Sequence, residues 1–145
     1  MTSIPLPAWS TTGVLVDQAN SRGRLELFQP APLVLMARCN GHFSEDLADE
    51  WVRVLGPVLA RTRGITMFNE WREMNGYDSA SRRKLTTLAS ARRGVFTAVY
   101  FIARSRIVTM GVNVASVPMA MIGVEFATCG SDQDFLNKLE RVRPR

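Results

Sequence analysis

The sequence predicts a single α/β domain with a mixed, mostly parallel sheet of four to five strands, an N-terminal hairpin and about four helices. Two strand-like segments come first, and segments with helical and with strand periodicity then alternate to the end of the chain. A helix that joins two neighbouring parallel strands makes a right-handed crossover, so this order predicts parallel pairing behind one antiparallel edge. The length of 145 residues suits one domain. We assign residues 1–11 to a flexible N-terminal arm and residues 12–145 to the domain.

The N-terminal hairpin is predicted from two apolar patterns. Residues 24–29 alternate, with Leu25 and Leu27 set against charged neighbours, which is typical of a half-buried strand. Residues 33–39 are almost continuously apolar and end at Asn40 and Gly41, as expected of a strand covered on both faces. Residues 12–17 are a further candidate strand before this hairpin.

The first helix is predicted from about residue 44 to about residue 63. Ser44 is a favourable N-cap, acidic residues follow it in the first turns, and Gly64 ends the helix. Pro57 is expected to kink or interrupt it. Spacings of three and four place the apolar side chains on one buried stripe, which consists of Leu47, Trp51, Val54, Leu55 and Val58.

The rest of the chain continues the alternation of strands and helices. We predict strands over residues 65–71, 95–102 and 124–127, with a polar loop over residues 72–78. Three helices are predicted from Asp78 or Ser79 to about Arg93, over residues 104–117 with a stop at Pro118, and from Ser131 or Asp132 to about Arg141.

The composition argues against several classes of function. His42 is the only histidine, and Cys39 and Cys129 are far apart in sequence, so neither a metal site nor a catalytic pair is indicated. The chain has no glycine-rich nucleotide motif and no Gly-x-Ser-x-Gly motif. We therefore predict a protein that is not an enzyme, with no catalytic residues, no cofactor and no metal. Two reduced thiols and the lack of a signal-peptide pattern predict a cytoplasmic location.

The net charge of +5 is compatible with nucleic acid, an anionic lipid surface or an acidic protein as partner. Nucleic acid is not expected, because no recognisable nucleic-acid motif is present. Residues 107–124 carry no charge but include Asn113, Ser116 and Pro118, which fits a buried helix and a strand. We do not expect a membrane span, and peripheral lipid contact stays open.

The basic charge is concentrated in residues 77–107, which carry seven lysine and arginine residues and no acidic residue after Asp78. The segment begins where a strand ends and a helix starts, and ligands and partners favour such edges of open parallel sheets. We predict a partner-binding surface at this helix start, formed by Tyr77, Asp78, Ser79, Arg82 and Arg83. Ser79 and Ser81 lie where a hydroxyl either caps the helix or carries a phosphate stabilised by the helix N-terminus.

A second candidate site is an apolar groove beside Met110, Asn113, Val117 and Met119. Flexible methionine side chains adapt to small molecules or lipids. The same residues also suit an ordinary core, with Asn113 on a solvated face. Exposed phenylalanine and methionine side chains could instead close a homodimer, whose symmetry the sequence does not identify.

Two stretches resemble the STAS-like domain family, the fold of sulfate-transporter cytoplasmic domains and anti-sigma factor antagonists. They are residues 65–85, with Asn75-Gly76-Tyr77-Asp78-Ser79, and residues 103–112. The resemblance covers roughly residues 25–139 and is strongest with the antagonist-like branch of uncharacterised bacterial proteins. It implies a non-enzymatic regulatory module that binds a protein through the loop and the neighbouring helices.

The same resemblance bears on the two serines. In phosphorylatable antagonists, the switch serine follows an acidic residue at this helix start. Ser79 is the nearest equivalent here and Ser81 the second choice. The family's glycine is missing after Asp78-Ser79-Ala80-Ser81, and Arg82 and Arg83 follow instead.

Overall fold

The computed structural model describes residues 3–145, which build a six-stranded sheet with its strands in chain order. The strands are β1 (Val14–Ala19), β2 (Gly23–Ala31), β3 (Val34–Phe43), β4 (Ile65–Tyr77), β5 (Phe96–Ala103) and β6 (Glu125–Thr128). Strands β1, β2 and β3 pair antiparallel in that order, and the pairs β3–β4, β4–β5 and β5–β6 are parallel. The helices are α1 (Glu45–Ala60), α2 (Ser79–Ser90), α3 (Arg106–Met121) and α4 (Asp132–Arg141), and a short 3-10 helix (Ala8–Thr11) precedes β1.

The predicted fold class is confirmed, with a mixed α/β architecture, an N-terminal hairpin and four helices in residues 3–145. The sheet has six strands in this part of the chain rather than four to five. The difference arises because the candidate segment before the hairpin is a true strand, which pairs with β2 from Val16 opposite Leu27 to Ala19 opposite Arg24.

Three helices cover one face of the sheet, and α4 covers the other. Because β3 to β6 are parallel and adjacent in chain order, right-handed crossovers place α1, α2 and α3 on the same side. Side chains of these three helices share one hydrophobic cluster with the sheet, and Leu47, Leu88 and Val112 represent one helix each. On the opposite face, Phe135 and Leu139 of α4 pack against a second cluster that includes Phe28, Val34, Met36 and Phe68.

The central strand β4 is longer than the sequence indicated, so the polar loop predicted over residues 72–78 is wrong. The strand continues to Tyr77 because β3 continues to Phe43 and pairs with it to the end. The pairing shifts register twice, between Arg38 and Asn40 and again between Gly41 and His42 of β3. Extra residues in a strand interrupt its period-two alternation. The polar residues of the segment 72–78 therefore have the pattern that is typical of a loop.

The two prolines inside helices do not end them. Helix α1 contains Pro57 and runs to Ala60, slightly short of the predicted end at about residue 63, whereas α3 contains Pro118 and runs to Met121. The predicted stop at Pro118 is therefore wrong. A proline leaves the carbonyl four residues earlier without its helical hydrogen bond, but both prolines are exposed, and the residues four positions earlier, Arg53 and Val114, are exposed as well. Water can reach these carbonyls, so the helices continue.

The described part of the predicted arm, residues 3–11, lies along the face that α4 covers. Leu6 and Trp9 pack against the second hydrophobic cluster. The backbone N–H of Ile4 donates to Asp132 Oδ2 at 3.1 Å, and its carbonyl accepts from Arg72 Nη1 at 2.7 Å. The flexibility of this arm and the boundary at residue 11 stay predictions.

A buried ion cluster joins this arm to β4 and α4. Arg72 pairs with Glu70 on its own strand, and its Nη1 lies 3.0 Å from Asp132 Oδ2 at the start of α4. The side chains of Glu70 and Arg72 are only 6% and 7% exposed. Although burial opposes ionisation, the Ile4 N–H and the Arg72 guanidinium lower the pKa of the Asp132 carboxyl.

We predict that Arg72→Met destabilises the domain strongly. The substitution leaves the buried Glu70 carboxylate without its partner, and breaking a buried ion pair in this way costs about 3–5 kcal/mol. The free energy of unfolding, measured by urea denaturation, checks this value. Arg53→Met is the matched control, because Arg53 pairs with Glu50 at the surface with its own side chain 66% exposed, and we expect little change there. Equal stability of the two variants would contradict the structural role of Arg72.

Candidate functional site

The start of α2 is tied to the start of α1 by one carboxylate. Asp78 is the only residue between β4 and α2 and is the N-cap of α2, but its side chain makes no hydrogen bond to that helix. Its Oδ1 lies 2.8 Å from His42 Nε2, and its Oδ2 accepts from the backbone N–H of Glu45 at 2.9 Å. Asp78 therefore connects the end of β3 and the N-termini of two helices.

The environment of Asp78 favours its ionised form. The hydrogen bond with His42 lowers the pKa of the Asp78 carboxyl most, and the Glu45 N–H lowers it further. Arg22 adds a weaker attraction, since its Nη1 lies 4.0 Å from Asp78 Oδ1. The only histidine of the chain is thus part of a structural contact at the candidate site.

The two candidate serines differ completely in accessibility. Ser79 is exposed at the first position of α2, whereas Ser81 is 0% exposed and its hydroxyl has no hydrogen-bond partner in residues 3–145. A kinase would reach Ser79 in the folded domain but would reach Ser81 only after local opening of α2. Of the two candidates, only Ser79 lies on the surface.

The basic residues of α2 separate into paired and unpaired groups. Lys84 contacts Asp49 of α1, and its Nζ lies 3.7 Å from Glu45 Oε2 on the same helix. The hydrogen bond with Asp49 raises the pKa of the Lys84 ammonium group. Arg82 and Arg83 form no ion pair with any carboxylate of residues 3–145. Arg83 is exposed, whereas Arg82 is half-buried, so an acidic group from outside the domain reaches Arg83 more easily.

Tyr77 links the start of α2 to α3. The residue is half-buried and packs against the first hydrophobic cluster. A Cβ placed on Gly111 of α3 would lie 2.3 Å from Tyr77 Oη and 2.8 Å from its Cζ. The glycine is therefore needed because the tyrosine ring approaches the helix backbone closely, and Tyr77 helps to set the position of α3 against the start of α2.

The outward face of α3 is a continuous apolar stripe. Five large apolar side chains that are 60% to 78% exposed follow one another at spacings of three and four. We call this set the α3 stripe; it consists of Ile107, Met110, Val114, Val117 and Met121. Scattered exposed apolar residues are normal on a protein surface, but a contiguous row marks an interaction surface.

The predicted groove beside Met110, Asn113, Val117 and Met119 does not exist as one site. Met110 and Val117 belong to the α3 stripe, Asn113 is also exposed, and Met119 is 0% exposed on the opposite side of the helix. The uncharged residues 107–124 include both the outer and the inner face of α3. The sequence prediction therefore grouped residues that lie on opposite faces of the helix.

An apolar cavity lies on the inner side of α3, and we call it the α2–α3 cavity. It has a volume of about 80 Å³, is partly open to solvent, and is lined by residues of the first three helices and the sheet. Asn69 and Trp71 of β4 line it, and sequence reasoning missed both. The available signal was Asn69, a lone amide within an otherwise apolar strand segment.

Comparison with solved structures identifies the fold as STAS-like. The structure is similar to an uncharacterised protein of the DUF3478 family with a SpoIIAA-like fold from Shewanella loihica PV-4, at 16% identity and a TM-score of 0.57, over 88% of this chain and 94% of that one. It is also similar to an anti-sigma factor antagonist from Mycobacterium paratuberculosis, at 11% identity and a TM-score of 0.58, over 85% of this chain and 98% of that one. No protein-family model matches the sequence. No curated protein matches it either.

The predicted resemblance to the STAS-like fold is therefore confirmed. Within residues 3–145, no helix is both long and apolar enough to cross a bilayer. In the same residues, no group of three or more histidine, cysteine, aspartate or glutamate side chains is arranged to hold a metal ion.

We predict that Gly111→Ala destabilises the domain by about 1–3 kcal/mol, because the new methyl group must displace the Tyr77 ring. Gly56→Ala is the matched control within α1, since no atom outside its chain neighbours lies within 4 Å of a Cβ at that position. The control should change stability little, because the helix propensity of alanine is opposed by the contact between its Cβ and the Cδ of Pro57. Urea denaturation of both variants checks the pair. A Gly111→Ala variant as stable as Gly56→Ala would mean that Tyr77 does not pack against α3.

Proposed function

We propose that this STAS-like domain is a non-enzymatic regulatory module of the cytoplasm that binds a protein partner through α2 and α3. The observation that carries the proposal is the combination of two unpaired arginines, Arg82 and Arg83, with the exposed α3 stripe. Both helices belong to the same layer over the sheet and contact each other. Their outward faces therefore form one mixed basic and apolar surface.

The size of this surface suits a protein interface. Burying a large aliphatic side chain contributes about 1.5–3 kcal/mol at about 25 cal/mol per Å², which corresponds to roughly 60–120 Å² for each side chain. Because the five residues of the α3 stripe are 60% to 78% exposed, they supply roughly 200–400 Å² of the approximately 800 Å² that one partner contributes to a standard interface. The α2 start, with Tyr77, Asp78, Ser79, Arg82 and Arg83, would supply most of the remainder.

The chemistry of the surface also indicates what kind of partner fits. Between Arg106 and Glu125 the chain carries no charge, so the part of the partner facing the α3 stripe should be apolar. Carboxylates at one end of that patch would pair with Arg82 and Arg83, so the proposed partner is a protein with an acidic group beside an apolar surface. The similarity to an anti-sigma factor antagonist supports a regulatory role of this type.

Ser79 offers a means of controlling this interaction. A phosphate there would add about −1.5 to −2 charges at the N-terminus of α2, next to Arg82 and Arg83. It would occupy the same guanidinium groups that the partner's carboxylates need. We therefore propose that phosphorylation of Ser79 weakens partner binding, whereas the buried Ser81 is not modified in the folded state.

The test begins with identification of the partner by mild crosslinking in the native cells, followed by binding measurements with both purified proteins. We expect Arg82→Glu with Arg83→Glu, and separately Met110→Ser with Val117→Ser, to raise the dissociation constant by about tenfold or more. Arg141→Glu is the control, since Arg141 is an exposed arginine on α4 at the opposite face of the sheet.

Two outcomes would contradict the proposal. One is a partner whose affinity is unchanged in both double variants but falls in Arg141→Glu. The other is crosslinks that join α3 only to a second copy of this chain, together with a dimer that Met110→Ser and Val117→Ser dissociate. The second result would assign the α3 stripe to a homodimer.

A further inference from the structure

We propose that the α2–α3 cavity is a binding site for a small, largely apolar molecule that carries one hydroxyl group, such as a phenol or an alicyclic alcohol. This inference does not rest on the protein partner, although Tyr77 and Arg82 belong both to the cavity lining and to the proposed docking surface. It replaces the predicted groove with a site on the inner side of the same helix.

The walls of the cavity are mostly apolar, and α2 adds the polar residues Arg82 and Thr86. Helix α3 contributes Val108, Val112 and Met119, and the sheet contributes Met67, Val99 and Phe101. All six side chains are at most 5% exposed. Such walls favour an aromatic or aliphatic body and disfavour a charged molecule, whose desolvation they would not compensate.

Two buried polar atoms in the lining have no hydrogen-bond partner among the described residues. They are the side-chain oxygen Oδ1 of Asn69 and the indole Nε1 of Trp71, and the two residues are 1% and 8% exposed. The Asn69 amide nitrogen makes one long bond, to the carbonyl of Tyr100 at 3.4 Å. Buried polar atoms nearly always have a partner, so each exception calls for an explanation.

The two residues that carry these atoms are neighbours on one face of β4. Asn69 and Trp71 are two residues apart on β4 and both line the cavity, so they point from the same face of the strand. Trp71 Nε1–H only donates a hydrogen bond, and Asn69 Oδ1 only accepts one. A hydroxyl is the smallest group that can accept from the first and donate to the second.

Other ligand groups match this pair less well. A carboxylate only accepts hydrogen bonds, so beside these two atoms it would satisfy Trp71 but repel the Asn69 oxygen, and only Arg82 on the α2 wall would compensate its charge. An ammonium only donates, so it would leave the indole N–H unpaired and bury a charge. A neutral hydroxyl satisfies both atoms without burying a charge.

The cavity can enlarge on the side of α2. Its volume of about 80 Å³ is smaller than the cavity of about 150 Å³ that binds benzene in an engineered protein. Only one residue of α2, Ser81, is fully buried, and the cavity-lining Leu85, Leu88 and Ala89 are half-buried. This wall is thus the most weakly held, and an outward shift of α2 would admit a single ring.

The test uses two probes of almost the same shape, 4-methylphenol and p-xylene, with the ¹⁵N-labelled full chain. The readout is the indole N–H resonance of Trp71 among those of the three tryptophans, assigned with Trp71→Phe. We expect 4-methylphenol to shift this resonance in a saturable manner and to bind about tenfold more tightly than p-xylene. Asn69→Leu, which has nearly the same shape, should abolish the preference.

A second variant covers the case in which Asn69→Leu does not fold. Ala115 also lines the cavity, and Ala115→Leu should fill part of it and prevent binding of both probes. The proposal is overturned if 4-methylphenol leaves the Trp71 resonance unchanged or binds no better than p-xylene. It is equally overturned if the preference survives in Asn69→Leu, and ordered water would then be the partner of the two atoms.

Discussion

The parallel pairing of β3 with β4, continued to the very end of both strands, is the constraint on which the rest of this structure depends. Because Phe43 pairs with Tyr77, the starts of α1 and α2 lie side by side, and one carboxylate, Asp78, reaches both His42 and the Glu45 N–H. Tyr77 in turn lies against Gly111 of α3. The candidate surface is therefore built on the end of a sheet strand rather than on a loop.

The same strand separates two environments. Toward the three helices it presents Asn69 and Trp71 to the α2–α3 cavity. Toward α4 it presents Glu70 and Arg72, whose buried ion cluster includes Asp132 and the backbone of Ile4. A strand with two such faces can be displaced only at high cost. The flexible part of the site is accordingly expected in α2, which contributes a single fully buried residue.

The sequence was sufficient for the fold class, because hydrophobic periodicity and the order of elements determine which strands pair. It was insufficient where local rules are broken by tertiary contacts. The two register shifts of β4 removed the alternation that identifies a strand, and solvated carbonyls allowed α3 to continue through Pro118. Met119 was assigned to the wrong face together with Met110 and Val117, because the uncharged run gives no polar boundary between the faces. The α2–α3 cavity depends on side-chain packing, which no single-sequence pattern contains.

The most direct test of this account is hydrogen–deuterium exchange of the backbone over residues 72–77, followed peptide by peptide in the free protein. Amide hydrogens bonded to β3 should exchange as slowly as those of residues 65–71, since opening them requires separation of the two strands. Exchange of residues 72–77 at the rate of an exposed loop would contradict the continued pairing of β4 with β3. In that case β4 would end near Trp71, and neither Asp78 nor Tyr77 would hold the start of α2 in the position from which the proposed surface is derived.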